Sequence, residues 1–318
     1  MKAWVLVFCT LIMLVGNNLA QNNQPTPTPP ATQSSSRSGS QNQTNTQNQR
    51  QDDKGINAAF NNLRSLEIQQ NAGKTIETIL NDEIRPLYRK PSKKELTNLT
   101  PSPVIFTKYD KFLQQSDTGI FKISADSTCA GNSQVVVASE SCLSNNIPGA
   151  GTAYSFRVKS HRMLHLSDLV LDKNVIRTGS LLQQGLMVNL GNIELNEVST
   201  QTVGLKYLFD FKPLTNKEEL KSFDEKLSKG IKSDGFTYGY GLYVEDQTTF
   251  ALRSIAYRGK FQRSISGVKY NEMDYDKRND IIVVFRIVKK DANGDLTIIW
   301  KEISQKDSPI IKFEEKDK

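Results

Sequence analysis

The chain has 318 residues, 37% of them hydrophobic, with 41 basic and 34 acidic side chains and a net charge of +7. A positive excess this small over such a length is no nucleic-acid signature, although it suits loose attraction to anionic cell-wall or membrane surfaces. The balance falls to +6 once residues 1–20, whose only charge is Lys2, are set aside.

Met1 and Lys2 make a short positive start, Ala3–Val15 is a 13-residue apolar run around Thr10, and Gly16-Asn17-Asn18-Leu19-Ala20 is a polar exit ending in a small residue. That order is the secretory signal pattern, so residues 1–20 read as a signal peptide cleaved after Ala20. The rival, an uncleaved anchor, has to contend with a run well short of the roughly 20 residues a spanning helix needs. No other stretch approaches membrane length, so no transmembrane helix is expected in the mature chain. The localisation that follows is secreted, periplasmic or cell-surface.

From residue 21 to 53 Gln, Asn, Ser, Thr and Pro dominate, starting with Pro25-Thr26-Pro27-Thr28-Pro29-Pro30. Such a segment buries too little to offset its conformational entropy and reads as a disordered tether. Residues 54–318 then read as a single α+β domain, with a helical part over 54–115 and a β-rich part over 116–318.

In the helical part, Ile56, Ala59, Phe60, Leu63 and Leu66 share one helical face. Ile76, Ile79, Leu80, Ile84 and Leu87 share another, which Pro86 should kink or end. Ser92-Lys93-Lys94-Glu95 matches a capping box, and Ser102-Pro103 reads as a cap and first-turn proline for a helix carrying Ile105, Phe106, Tyr109, Phe112 and Leu113. These apolar stripes need a sheet to pack on.

The spacing predicts strands over Ile120–Ile123, Gln134–Ala138, Tyr154–Lys159, Leu186–Leu190, Gly204–Phe211, Phe236–Val244, Thr249–Tyr257, Asp280–Lys289 and Asp295–Ile303. One further helix is expected over 215–229, from the capping box Thr215-Asn216-Lys217-Glu218 to a terminal Gly230. Strands joined mainly by turns, with helices set apart, point to a largely antiparallel sheet. For the last hairpin, a two-residue Asn293-Gly294 turn would set Arg286 opposite Lys301. A three-residue loop with left-handed Gly294 sets it opposite Trp300 instead, with Glu302 diagonal, and that register is preferred. Both faces of this hairpin carry apolar residues, so it should be central and buried.

Removing Cys9 with the signal leaves Cys129 and Cys142, an even pair in an oxidising compartment. A disulfide closing this loop would contribute about 3 kcal/mol in the chain-entropy model. The other option, a two-cysteine metal site, lacks nearby histidines, and no metal or cofactor is expected.

His161 and His165 are the only histidines, with Asp168 just beyond. Four apart on a helix, they would resemble the spacing of a zinc protease, but Arg162 stands where that motif needs glutamate and the flanks read as strand and turn. They remain the one nearby trio that could form a base or metal site. Asp291-Ala292-Asn293-Gly294-Asp295 with Glu302 imitates a calcium loop, yet Leu296 occupies the position that needs glycine, and a turn explains it. Pro148-Gly149-Ala150-Gly151-Thr152 precedes a strand and so lacks the helix N-terminus of a phosphate site.

Phe236-Thr237-Tyr238-Gly239-Tyr240-Gly241-Leu242-Tyr243 places tyrosines beside a trough left by two glycines, where Tyr238, Tyr240 and Tyr243 could stack on a sugar or peptide. Packing by the 215–229 helix would fill the same trough. Arg253, Arg258, Lys260, Arg263 and Lys269 interleave with Tyr257, Phe261 and Tyr270. In an exported protein that reads as a solvated basic face or a contact with anionic polymer, not a nucleic-acid surface. Two functions remain open. One is an exported, non-catalytic binding or scaffold domain acting at the cell envelope or outside the cell, with an anionic envelope polymer or another envelope protein as partner. The other is a secreted hydrolase or lyase built around His161, His165 and Asp168.

Overall fold

The computed structural model describes residues 73–129, 147–179 and 182–311. These belong to a compact unit that runs Arg64–Lys318. The signal segment, the tether, the stripe from Ile56 to Leu66, the expected strand Gln134–Ala138 and Cys142 all lie outside the described residues.

The early strands are β1 (Thr118–Ile123), β2 (Ala153–Ser155), β3 (Ser160–His161), β4 (Leu169–Asp172), β5 (Val175–Arg177) and β6 (Gln183–Gly191). They are followed by β7 (Ile231–Ser233), β8 (Phe236–Gly239), β9 (Gly241–Tyr243), β10 (Thr249–Ala256), β11 (Gln262–Ile265), β12 (Val268–Asn271), β13 (Asn279–Lys290) and β14 (Leu296–Asp307). Seven of them form a sheet in the order β1-β14-β13-β10-β6-β8-β7, and five form a smaller one, β3-β2-β4-β5-β9. Every ladder between these strands is antiparallel. The α-helices are short: α1 (Ile76–Ile79), α2 (Pro103–Lys108), α3 (Asp110–Leu113), α4 (Lys206–Asp210) and α5 (Lys217–Ser228). The fold is α+β with mostly sheet content, as the sequence predicts. None of the described helices is long and apolar enough to cross a membrane.

β13 shows why the large sheet lies in the middle. Its alternation sends Ile281, Val283, Phe285 and Ile287 into one core with Leu169, Leu171 and Ile176 of the small sheet. Ile282, Val284 and Val288 enter a second core on the opposite face. There they meet Phe112 and Leu113 of α3, Leu208 of α4 and Leu227 of α5. A strand buried on both faces needs apolar residues at every position, and from Ile281 to Val288 this one supplies them except at Arg286. A third cluster ties Ile79, Ile84, Leu87 and Tyr88 to Met163, Leu166, Tyr270 and Met273.

The last hairpin keeps the preferred register only near its loop. Gly294 is left-handed at φ +89°, Asp291 N donates to Asp295 O over 2.8 Å, and Lys290 and Lys289 lie opposite Leu296 and Thr297. A bulge between Ile287 and Lys289 then shifts the pairing by one, so Arg286 faces Ile299, not Trp300. The calcium-like acids are turn residues: Lys122 Nζ sits 2.9 Å from Asp291 and 3.1 Å from Asp295.

Other elements differ from expectation for local reasons. The predicted strand Gly204–Phe211 is a 3-10 turn over Val203–Leu205 followed by α4. Its apolar residues fit both periods, and a run this short cannot decide between them. Tyr154–Lys159 is extended only to Ser155, after which the chain turns and Lys159 adopts φ +53°. Phe236–Val244 breaks at Tyr240 into β8 of the large sheet and β9 of the small one. The 215–229 helix is capped by Asn216, one residue later than expected, whose Oδ1 accepts from Glu218 N at 2.8 Å and Glu219 N at 3.2 Å. The box at Ser92 forms as read, with Ser92 N donating to Glu95 Oε2 over 2.6 Å and Glu95 N to Ser92 Oγ over 3.3 Å. The 76–88 segment widens to a π-turn over Leu80–Ile84 and tightens to 3-10 at Arg85–Tyr88 around Pro86.

Candidate functional site

His161, His165 and Asp168 lie within eight positions, and no hydrogen bond or ion pair joins any two of them. His161 is buried on β3, where its Nδ1 lies 3.1 Å from Ala153 O and its ring stands edge-on to Phe121 and Tyr154. Burial pulls its pKa down to about 4, against a small opposing pull from the Ala153 carbonyl. Asp168 is sealed inside a salt-bridge network with Arg157, and accepts hydroxyl protons from Ser155 at 2.9 Å and Ser254 at 2.6 Å. Burial alone would raise this carboxyl. The Arg157 charge and the Ser254 hydrogen bond outweigh it, so the group stays below the usual carboxylate range.

His165 turns elsewhere, with Nε2 2.9 Å from Glu272 Oε1. Glu272 is itself buried, accepts from Tyr88 Oη at 2.8 Å and pairs with Arg263 at 2.9 Å. Burial pushes Glu272 up, but the His165, Tyr88 and Arg263 contacts hold it below its ordinary value. This cluster closes the third core at the β11–β12 hairpin. It is reached by tertiary folding from positions 107 and 184 apart in the chain, which local motif reading does not see.

The basic stretch divides between interior and surface. Arg253 is buried, forked onto Asp280 at 2.9 and 2.6 Å and donating to Leu208 O and Phe211 O. Tyr257 and Tyr270 are buried as well. Arg258, Lys260 and Lys269 are the exposed members. Cys129 is buried against Ala150, while its expected partner lies outside the described residues.

The tyrosine-glycine stretch borders an open cleft of about 650 Å3. Its position follows from the break at Tyr240, where the chain leaves the large sheet and enters the small one. β9 pairs with β5, and β5 with β4, in a register that aligns Asp172, Val175 and Tyr243 in one row and Val170, Arg177 and Gly241 in the next. Side chains two apart on a strand share a face, so both rows look the same way. Opposite them, Leu227, Ser228, Lys229 and Gly230 end α5. The helix that could have filled the trough therefore forms one wall of it.

Tyr243 is 73% exposed and Tyr240 45% exposed. Tyr238 is buried, its hydroxyl donated to Gly204 O over 3.0 Å, so it shapes the wall without offering its ring to solvent. Gly241 keeps the floor low, since a Cβ there would come within 3.2 Å of Arg177 Cγ. Arg177 pairs with Asp172 across the floor, and Lys173 and Lys229 add two cations to the lining. The arrangement offers aromatic faces, an ion pair and a cationic excess to a polar ligand.

The chain matches no family model, and no curated protein or solved structure matches it.

Proposed function

We propose that the chain is an exported, non-catalytic binding module that acts at the cell envelope or outside the cell, and that its cleft receives an anionic polymer. One observation carries this reading. Two exposed tyrosines flank a low glycine floor where three cations face one carboxylate. Tyrosine contributes large, rigid contact area at little entropic cost, which suits it to the rings of a polymer. The cations supply attraction that salt weakens. The signal at residues 1–20, the tether at 21–53 and a Cys129–Cys142 bridge belong to the same reading, as spacer and staple of a secreted module. Another envelope protein as partner would use the same cleft. The hydrolase or lyase reading has less support, because His161, His165 and Asp168 each answer to separate partners.

The test is calorimetric titration of the secreted chain with oligogalacturonate, an all-acidic saccharide. Binding weakened at least about tenfold by Tyr243→Ala, equivalent to about 1.4 kcal/mol, is expected. Binding that the Tyr240→Ala, Tyr243→Ala double variant leaves unchanged would place the ligand elsewhere.

A further inference from the structure

We infer that the tyrosine cleft continues past Tyr240 into a second subsite built for a neutral, hydroxyl-bearing sugar ring, so that the preferred ligand is a saccharide in which an acidic residue adjoins a neutral one. This rests on the proposed binding role of the cleft and adds its ligand class.

A second cavity of about 370 Å3 lies between the end of β5, the start of β6 and α5. Arg177, Leu227 and Tyr240 line both cavities, so Tyr240 stands at their junction. The chemistry changes across that junction. In the first cavity cations outnumber carboxylates. In the second, the charged groups are Arg177, already paired with Asp172, and Asp224 of α5.

Gln184 lines the second cavity and is 3% exposed. Its Oε1 accepts from Tyr257 Oη at 3.1 Å, but its buried Nε2 has no hydrogen-bond partner. The adjacent Gln183 differs, spending its amide on Asp168 at 3.2 Å and Ser254 at 2.8 Å. A buried amide without a well-formed hydrogen bond is costly, and a ligand oxygen would complete one. Asp224 is close enough for the Gln184 amide to act on its carboxyl. A donor and an acceptor side by side suit a hydroxyl, which accepts from one and donates to the other. A second acidic ring would instead meet the Asp224 carboxylate as a like charge. The two subsites therefore select different rings.

The probes are a hyaluronan tetrasaccharide, in which acidic and neutral rings alternate, and a galacturonate tetramer, in which all rings are acidic. Both are titrated calorimetrically into the secreted chain. The wild type should bind hyaluronan about tenfold more tightly. Asp224 is an exposed residue at the cavity lip of α5, so Asp224→Asn should fold normally. It should weaken hyaluronan binding several-fold and tighten the galacturonate tetramer, whose second acidic ring no longer meets a like charge. Gln184→Glu, which keeps the acceptor for Tyr257 and removes the amide donor, should also weaken hyaluronan. The inference is overturned if Asp224→Asn moves both probes in the same direction or neither, or if a glutamate-serine peptide binds more tightly than both. If saccharide binding ignores Tyr243→Ala, or neither saccharide binds, the cleft reading falls and this one with it. Tyrosine-dependent binding without preference between the probes sinks the second subsite alone.

Discussion

Arg157 Nε and Asp168 Oδ1 meet at 2.8 Å in an interior where both side chains are shut off from solvent. Arg157 also donates from Nη1 to Asp276 Oδ2 over 2.6 Å and from Nη2 to Leu166 O over 3.0 Å. Ser155 of β2 and Ser254 of β10 both reach Asp168, so the pair bridges the two sheets. Removing one partner of such a buried pair leaves a charge uncompensated. Asp168→Ala should cost about 3–5 kcal/mol in urea denaturation, whereas Ser155→Ala, which removes one donor of several, should cost about 1 kcal/mol. Loss of less than about 1 kcal/mol on Asp168→Ala would show that the pair does not join the sheets.

His161 gives the fold a pH dependence of known sign. In the unfolded chain an imidazole titrates near 6.5, and in the fold burial lowers this one to about 4. Between those values the unfolded chain binds the extra proton, so the contribution is fully present above pH 6.5 and is lost as pH falls toward 4. The difference corresponds to on the order of 3 kcal/mol. Urea midpoints recorded from pH 7.5 to 4 should fall accordingly, and His161→Phe should flatten that part of the curve. A wild-type midpoint constant across this range would refute the assignment.

Much of the fold is legible where a single local interaction decides it. Gly294 announces its left-handed loop and Ser92–Glu95 its reciprocal cap, and both form as read. Asp234-Gly235 and Ser266-Gly267 carry positive φ at both central positions, the signature of tight hairpins β7–β8 and β11–β12. That signal is present in the sequence, but the flanking strands are three or four residues long and half exposed, too short for alternation to register. The bulge after Ile287 is not legible, because with apolar residues on both faces a one-residue shift exchanges one buried side chain for another. The tyrosine-glycine run stands out in the sequence. That a cleft opens beside it depends on Asp172, Arg177 and Lys229, brought there by a chain that changes sheets at Tyr240.

Trp300 offers a probe of the packing between β1 and β14. Gly119 lies opposite it, and a Cβ at Gly119 would sit 2.6 Å from Trp300 Nε1. The indole is held edge-on to Phe156 at 5.5 Å in the core between the sheets, so it cannot withdraw without disturbing that core. Gly119→Ala should destabilise by about 1–3 kcal/mol, as overpacking does. Trp4 and Trp300 are the two tryptophans, so after removal of residues 1–20 fluorescence would report Trp300 alone. A red-shifted emission is expected in the variant. Wild-type emission with wild-type stability would mean that the strand moves aside freely.

Gly241→Val separates the cleft from the fold. Gly241 has ordinary strand geometry, without the positive φ of Gly230 or Gly235. The nearest atoms to an added Cβ are Arg177 Cγ at 3.2 Å and Val175 Cγ1 at 3.5 Å. The arginine is the closer neighbour, and its flexible, half-exposed side chain can give way. Valine favours extended backbone where glycine weakens it, so thermal stability should stay level or rise slightly. Its two methyl groups would project from the floor toward the space between Arg177 and Tyr243, where the polymer is proposed to lie. Calorimetry should therefore show binding lost by about tenfold or more alongside an unchanged melting temperature. Unfolding would show that β9 needs the glycine for its own packing, and full binding with full stability would move the ligand away from this floor.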